Sequence, residues 1–226
     1  MEAIDMKGKP TSVRFSDASW FSPRIEILVG GAGGIGSWLT FFLARQECDI
    51  YLYDDDIIDE TNLGGQLYAK SFVGINKANA MNTISSGYCD NSITSMGRYE
   101  KDSFSMPIMF SAFDNMTARK TMFNRWKECE DRKIFIDGRM LAESAQIISV
   151  TKDNEDKYEE ELFEDSEVED QPCSMKATSH CGAITAGYMV ATFNNYMANS
   201  ISEHAFREVP FKTTIELPTL TQDVIL

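Results

Sequence analysis

The sequence predicts an α/β fold, with a mostly parallel sheet flanked by helices and an antiparallel extension in the C-terminal third. Three observations support this prediction. Short apolar runs rich in β-branched residues alternate with segments whose apolar residues recur at helical spacing. A glycine-rich turn follows the first apolar run. In the last third, two apolar runs are joined by a connection too short to hold a crossover helix.

The N-terminal part of the chain contains a predicted strand–helix–strand unit. The segment from Ile25 to Gly30 is apolar almost throughout, as expected for a strand buried on both faces of a parallel sheet. After the glycine turn, the segment 37–47 places its apolar residues at helical spacing, and Asp49 to Asp54 predicts a second strand. A βαβ unit of this kind is typical of Rossmann-like folds.

The alternation of strands and helices continues along the chain. The patterns predict strands over 93–99, 107–113, 133–137, 145–151 and 211–217, and helices over 76–88, 115–130 and 179–200. The strand at 145–151 follows its predecessor too closely for a parallel connection, so we expect it to pair antiparallel or to begin a different layer.

The domain organisation follows from length and composition. The 226 residues suit one α/β domain with a substantial core, so we expect a single domain over 1–226, with 1–24 as an irregular N-terminal arm. The acidic segment 153–172 is predicted to be a mobile, solvated loop. The alternative is a docking surface for a basic partner.

Composition also limits the partners. The net charge of −14 argues against nucleic-acid binding. No apolar run reaches the length of a membrane span, and the N-terminal residues lack the apolar core of a signal peptide. We therefore expect a cytoplasmic protein with neither a nucleic-acid nor a membrane partner. The five cysteines form no CxxC pair, which predicts reduced thiols and no zinc site.

The glycine turn predicts a nucleotide site. Gly31, Gly33 and Gly36 fit the pattern G-x-G-x-x-G, with Gly34 inside it. Glycine lets phosphate approach the backbone closely, and the following helix offers free N–H groups at its N-terminus. Asp54 ends the second strand, where an acid accepts hydrogen bonds from a ribose. These features alone fit a dinucleotide and ATP equally well.

Polar residues further along the chain favour ATP. Lys77 is the natural cation for the phosphates, and Asp114, after a predicted strand, is the natural Mg²⁺ ligand because it offers a hard oxygen donor. The alternatives are a surface position for Lys77 and an N-cap role for Asp114.

The order and spacing of these residues resemble the nucleotide site of the ubiquitin-activating-enzyme superfamily, which includes the bacterial ThiF/MoeB-like adenylyltransferases. The family pattern is D-x-D-x(5)-N-L-x-R-Q, then G-x-x-K, then Asp-Asn. Here these positions begin at Asp54 and Asp56 and end at Asp114 and Asn115, with Arg119 following. The resemblance implies that the single domain is an adenylation domain with Mg-ATP as nucleotide, and that Asp56 and Asn115 are among its contacts. It also implies that Asn62 and Gln66 orient phosphate oxygens or the carboxylate that attacks ATP.

The resemblance also implies a reaction and partners. The protein is expected to adenylate the C-terminal glycine of a small ubiquitin-like or sulfur-carrier protein, and to form a homodimer. Gly65 departs from the pattern, since the family usually has an arginine there as a phosphate contact. Candidate substitutes are Lys70, Arg24 and Arg14, the last of which the resemblance implies would come from the N-terminal segment of a partner subunit.

A second, shorter resemblance concerns the segment from Pro172 to Thr178. It is similar to the catalytic-cysteine motif P-x-C-T-x-[KR]-x-x-P of the eukaryotic activating enzymes, although the prolines and the threonine differ. This resemblance implies that Cys173 accepts the acyl group as a thioester. Lys176 and the following helix would lower the pKa of its thiol, whereas the neighbouring acids would raise it. Cys181 is predicted to be buried.

Two other functions are compatible with part of the pattern. A nicotinamide-dependent oxidoreductase accounts for the glycines and Asp54 but leaves Lys77 and Asp114 without roles. A catalytically degenerate, nucleotide-binding partner subunit accounts for Gly65.

Overall fold

The computed structural model describes residues 15–164, 178–202, 204 and 206–226. Its strands are β1 (Glu26–Gly30), β2 (Asp49–Tyr53), β3 (Ile93–Gly97), β4 (Ile108–Ser111), β5 (Ile134–Leu141), β6 (Ser144–Val150), β7 (Lys212–Glu216) and β8 (Thr221–Ile225). Its helices are α1 (Gly36–Ala44), α2 (Lys77–Ser86), α3 (Met116–Lys127), α4 (Glu155–Glu160) and α5 (Ser179–Ile201). Two short 3-10 helices span Glu60–Gly64 and Lys70–Phe72.

The described strands form one sheet in the order β3-β2-β1-β4-β5-β6-β7-β8. The strands from β3 to β5 are parallel, and those from β5 to β8 are antiparallel. The predicted Rossmann-like fold with an antiparallel extension is confirmed. The strand β8 was not predicted, because its sequence has no buried face: all of its residues are exposed.

Helices cover both faces of the sheet and divide the core in two. On one face, α1, α2 and α5 pack over apolar side chains of β1, β2 and β6. On the other face, α3 and α4 enclose an aromatic cluster in which Phe123, Trp126 and Tyr158 are fully buried. The rings of Phe123 and Tyr158 meet edge to face at 4.6 Å. Burial on both faces explains the near-continuous apolar sequence of β1.

The helix α5 packs directly beneath the glycine turn. A Cβ atom at Gly182 would lie 2.3 Å from the carbonyl oxygen of Gly34, so only glycine allows this approach. The helix thereby supports the backbone from which a nucleotide would be held.

The first half of the acidic segment differs from the predicted loop. Residues 155–160 form α4, and the ring of Tyr158 on this helix has no exposure. Acidic side chains of this region pair with basic ones elsewhere, in the pairs Arg132–Glu155, Lys127–Glu159, Lys212–Glu161 and Lys120–Glu164. Burial and ion pairing therefore order residues that composition alone assigns to a mobile loop. The remainder of the segment, 165–172, lies outside the described residues.

The described part of the N-terminal arm, residues 15–24, has neither helix nor strand. Its aromatic residues pack on one another, with the rings of Phe15 and Trp20 stacked at 5.4 Å. Across the described ranges, no helix is both long and apolar enough to cross a membrane.

Candidate nucleotide site

The polar residues singled out in the sequence gather at the carboxyl ends of β1, β2 and β4. Strand β1 leads into the glycine turn, β2 leads to Asp54, and β4 leads to Asp114. In register, Gly30 of β1 lies between Tyr53 of β2 and Ser111 of β4. The parallel sheet therefore brings three distant parts of the chain to one edge, where ligands bind in open α/β sheets.

The glycines of the turn have different structural requirements. Gly31 has φ +91, and a Cβ atom there would lie 2.7 Å from the carbonyl oxygen of Ala112. At Gly36, a Cβ atom would lie 1.9 Å from the carbonyl oxygen of Gly31. At Gly33, a Cβ atom would meet nothing within 4 Å. Packing thus requires the first and last glycines, whereas Gly33 leaves open space of the kind that a phosphate would fill.

Asp54 ties the second strand to the glycine turn. Its Oδ2 accepts a hydrogen bond from the backbone N–H of Ala32 at 2.7 Å, and its Oδ1 accepts one from the N–H of Asp56 at 2.9 Å. Burial raises the pKa of the Asp54 carboxyl, an effect that these hydrogen bonds and the nearby Lys77 oppose. The side chain lies where a ribose-binding acid is expected.

Lys77 is buried, so it is not the surface lysine of the alternative interpretation. Its side chain is 8% exposed, and its Nζ lies 2.7 Å from Oδ2 of Asp56. The preceding Asn76 caps α2 and donates from Nδ2 to the carbonyl oxygens of Asp54 and Asp56. The first turn of α2 and the end of β2 are thus locked together, which aims the lysine at the sheet edge.

Asn62 and Gln66, in the segment after β2, differ in the hydrogen bonds that their side chains make. Asn62 belongs to the first 3-10 helix, and its Oδ1 accepts from the backbone N–H of Asp59 at 3.1 Å in a capping box. Gln66 has a buried Oε1 that accepts no hydrogen bond from the described residues. Of these two side chains, Gln66 is the one with a buried amide oxygen that has no partner among the described residues.

Of the three candidates for the cation that replaces the arginine missing at Gly65, the structure excludes one. Arg24 pairs with Asp49 at 3.2 Å, at the amino ends of β1 and β2, so it lies at the opposite edge of the sheet and cannot serve. Lys70 is exposed, in the second 3-10 helix. Arg14 lies outside the described residues.

Sequence reasoning missed one cation at the correct edge. Arg98 directly follows β3, and its Nε lies 3.2 Å from Oδ2 of Asp55. The signal was its position just after a strand, next to the predicted site.

Asp114 is free of the N-cap role that was its alternative interpretation. The side chain of Asn115 caps α3 instead, accepting from the N–H of Ala118 at 2.8 Å. Asn115 also donates from Nδ2 to Oδ1 of Asp114 at 3.2 Å, which orients the exposed carboxylate. An exposed, oriented carboxylate suits a magnesium ligand.

A buried charged cluster adjoins this edge. Asp137 has no exposure and is bound by Arg119, by Nε of Arg139 at 2.7 Å, and by the hydroxyl of Tyr158 at 2.9 Å. Burial alone raises the pKa of the Asp137 carboxyl, but the two guanidinium groups hold it below its usual range. Sequence reasoning gave these residues no role.

The cysteines and histidines form no second site in the part of the chain that the structure describes. No group of three His, Cys, Asp or Glu side chains there is placed to hold a metal ion. Cys181 is buried, as predicted, and burial raises the pKa of its thiol. Burial likewise raises the pKa of the Cys48 thiol, to about 12. Cys173 lies outside the described residues.

The sequence signature of the ThiF family matches residues 23–219. The chain belongs to the ThiF family. The resemblance found in the sequence is thus confirmed over most of its length. No curated protein matches the chain in sequence.

Solved structures share the ThiF-family fold at low sequence identity. E. coli MccB with ATP has a TM-score of 0.65 and 14% identity, with 88% of this chain and 63% of that chain covered. E. coli MccB with MccA-N7isoASN has a TM-score of 0.66 and 13% identity, with 96% and 72% covered. A third structure, PaaA, has a TM-score of 0.62 and 16% identity, with 88% and 72% covered. This chain therefore spans about three fifths of the MccB chain solved with ATP.

Proposed function

We propose that this protein is an ATP-dependent adenylyltransferase that activates the C-terminal carboxylate of a small protein or peptide. One observation carries the proposal: a continuous set of contacts joins the glycine turn, Asp54 and Lys77 at a single sheet edge. The carbonyl of Ala112, two positions before Asp114 in the chain, lies against the same turn. Membership of the ThiF family and the likeness to MccB, solved with ATP, support the choice of nucleotide.

The site residues contact different parts of ATP and its magnesium ion. Asp54 accepts from the ribose, and the open face at Gly33 receives the phosphates. Lys77 exchanges Asp56 for a phosphate oxygen, since the exposed Asp56 side chain can turn into solvent. Gln66 donates from its amide nitrogen to a phosphate oxygen, while Asn62 and Asn115 shape the adjoining turns. Asp114 holds Mg²⁺, which supplies positive charge to the phosphates during the reaction.

The reaction joins two anions and so depends on nearby cations. A carboxylate oxygen of the acceptor chain attacks the α-phosphorus of ATP. The bond from that phosphorus to the bridging oxygen breaks, and pyrophosphate leaves with the electron pair. Lys77 stabilises the negative charge that builds up on the phosphates. The product is an acyl-adenylate at the C-terminus of the acceptor.

The acceptor is a ubiquitin-like or sulfur-carrier protein that ends in glycine. The terminal glycine is what the resemblance to the ThiF/MoeB-like adenylyltransferases implies, and membership of the ThiF family supports it. MccB has also been solved in complex with N-formylated MccA, which supports a peptide or small protein as the acceptor.

A thioester on Cys173 would follow adenylation. The Cys173 thiolate attacks the acyl carbonyl, and AMP leaves with the electron pair of the broken bond. The described chain resumes at Thr178, whose Oγ1 donates to the carbonyl of Ala142 at 3.4 Å, at the turn between β5 and β6. Cys173 is five residues before Thr178, and a span of five residues cannot exceed about 17 Å.

The protein acts as a cytoplasmic homodimer in this proposal. The second copy supplies Arg14 as the cation that Gly65 does not provide. Arg98 and Lys70 of the same chain are the competing sources. ATP–pyrophosphate exchange measured in Arg14→Ala, Arg98→Ala and Lys70→Ala separates the three.

ATP–pyrophosphate exchange with candidate carriers tests the activity. Lys77→Ala and Asp114→Ala are expected to lower the exchange rate by roughly 10²–10³, because each removes a charge that acts on the phosphates. Matched controls are Lys133→Ala and Asp90→Ala, at exposed positions that precede β5 and β3, at the sheet edge opposite the site. Exchange that is unaffected in the two site variants contradicts the assigned roles.

The degenerate-subunit alternative has its own outcome in this assay. Gly65 favours it, because one phosphate contact is absent from the pattern. Tight ATP binding without exchange in the presence of any glycine-ended carrier would support that alternative over the enzyme.

A further inference from the structure

The charged cluster around Asp137 lies directly beside the turn that carries Asp114. Asp137 pairs in register with Ser111, at the end of β4, and has no exposure. A buried carboxylate is stable only when it is paired and hydrogen-bonded. Arg119 and Arg139 place two positive charges beside the one negative charge of Asp137. The carboxylate therefore stays ionised, and it holds both guanidinium groups in place.

Arg119 joins the ends of two neighbouring strands. Its Nη1 donates to Asp137 and, at 3.0 Å, to the carbonyl of Gly138 on β5. Its Nη2 donates to the carbonyl of Phe113, the residue immediately before Asp114. The side chain is 8% exposed, so water competes little for these acceptors. One planar guanidinium therefore sets the spacing between β5 and the Asp114 turn.

We propose that Arg119 is a positioning residue, which fixes the turn that presents Asp114 to the magnesium nucleotide. The inference rests on the proposed function, since it assigns Arg119 no contact with substrate and a role only through Asp114. Lysine cannot replace it, because a single ammonium group is a point donor and does not span the carbonyls of Phe113 and Gly138 together with Asp137.

Arg139 offers a matched comparison within the same cluster. It binds the same carboxylate, through Nε at 2.7 Å, but its Nη1 donates to the carbonyl of Glu161 at 2.9 Å, on the side of α4. Arg119→Lys and Arg139→Lys both keep the charge beside Asp137. A loss of general stability is expected in both variants, whereas loss of order in the Asp114 turn is expected in Arg119→Lys alone.

Amide hydrogen exchange tests the positioning role without requiring activity. In Arg119→Lys, amides of residues 112–118 are expected to exchange about tenfold faster than in Arg139→Lys, because a charged hydrogen bond to the turn is lost. Amides of β1 should exchange at the same rate in the two variants. Equal exchange at 112–118 in the two variants would overturn the inference.

The magnesium requirement of ATP–pyrophosphate exchange gives the functional readout. Arg119→Lys is expected to raise the half-saturating Mg²⁺ concentration about tenfold relative to Arg139→Lys, with an unchanged KM for the carrier. An unchanged magnesium requirement would overturn the inference while leaving the proposed function in place. If the unmodified protein shows no ATP–pyrophosphate exchange, the proposed function fails. The comparison of amide hydrogen exchange in the two variants still decides whether Arg119 orders the turn.

Discussion

At the residue scale, the glycine turn separates two reasons for a glycine. Gly31 and Gly36 are required by the close approach of backbone carbonyls, whereas Gly33 borders open space. A pattern search gives the three positions equal weight. Their different surroundings predict different consequences for substitution, which makes the turn a sensitive test of nucleotide binding.

Gly33→Ala is expected to weaken ATP binding by at least about tenfold, because the added methyl group occupies the space of a phosphate. Its unfolding free energy should change by less than about 1 kcal/mol, since the methyl group meets no protein atom. Gly36→Ala, by contrast, should lose about 3 kcal/mol or more of stability. Calorimetric titration and denaturant unfolding measure both effects. Normal ATP affinity in Gly33→Ala would place the phosphates elsewhere.

The raised pKa of Asp54 predicts a pH dependence of nucleotide affinity. Protonation removes an acceptor needed for the N–H of Ala32 and for the ribose, so affinity should fall on acidification at a higher pH than an ordinary aspartate would give. The pKa of the Asp54 carboxyl is higher in the folded than in the unfolded state. The free energy of unfolding therefore falls as the pH rises through the unfolded-state and then the folded-state pKa of this carboxyl. Titration of Asp54→Asn should show weak binding without this transition. The same transition in that variant would assign it to another group.

At the element scale, the helices show where local pattern and tertiary packing agree. Helices α2 and α3 carry asparagine caps, and the predicted helices cover both. Helix α4 was predicted as loop, because its acidic composition favours disorder when the residues are considered alone. Its order depends on the buried ring of Tyr158 and on ion pairs with residues distant in the chain.

Two glycines of α5 allow a matched test of its packing beneath the glycine turn. Gly182→Ala is expected to destabilise the protein by about 1–3 kcal/mol and to weaken ATP binding, because the methyl group would push on the carbonyl of Gly34. Gly187→Ala, on the same helix with nothing within 4 Å of its Cβ position, should stabilise by up to about 1 kcal/mol. Thermal unfolding with and without ATP compares the two. Similar effects of the two substitutions would show that α5 does not support the turn.

At the scale of the whole molecule, the sequence predicts which segments form strands, but it does not directly predict their order in the parallel sheet. Alternating apolar patterns predict the strands and helices, and the short connection at β6 predicts the antiparallel extension. Arg24 was a candidate cation on its sequence position alone, and the sheet places it at the edge opposite the site, because it precedes a parallel strand.

The cluster of Arg119, Asp137 and Tyr158 could not be predicted because its members share no local pattern. They come from α3, β5 and α4 and meet only once the sheet has formed. Motif spacing identified Lys77 and Asp114, since these follow a family pattern, but it did not indicate that Asn115, and not Asp114, caps α3. Contacts between distant elements therefore remain the part of the site that only the fold reveals.

A crystal structure with Mg²⁺ and a non-hydrolysable ATP analogue tests the central claim most directly. We expect phosphates against Gly33, Nζ of Lys77 moved from Asp56 to a phosphate oxygen, and the metal within coordination distance of Asp114. A triphosphate bound away from Lys77, or a metal held without Asp114, would contradict this claim.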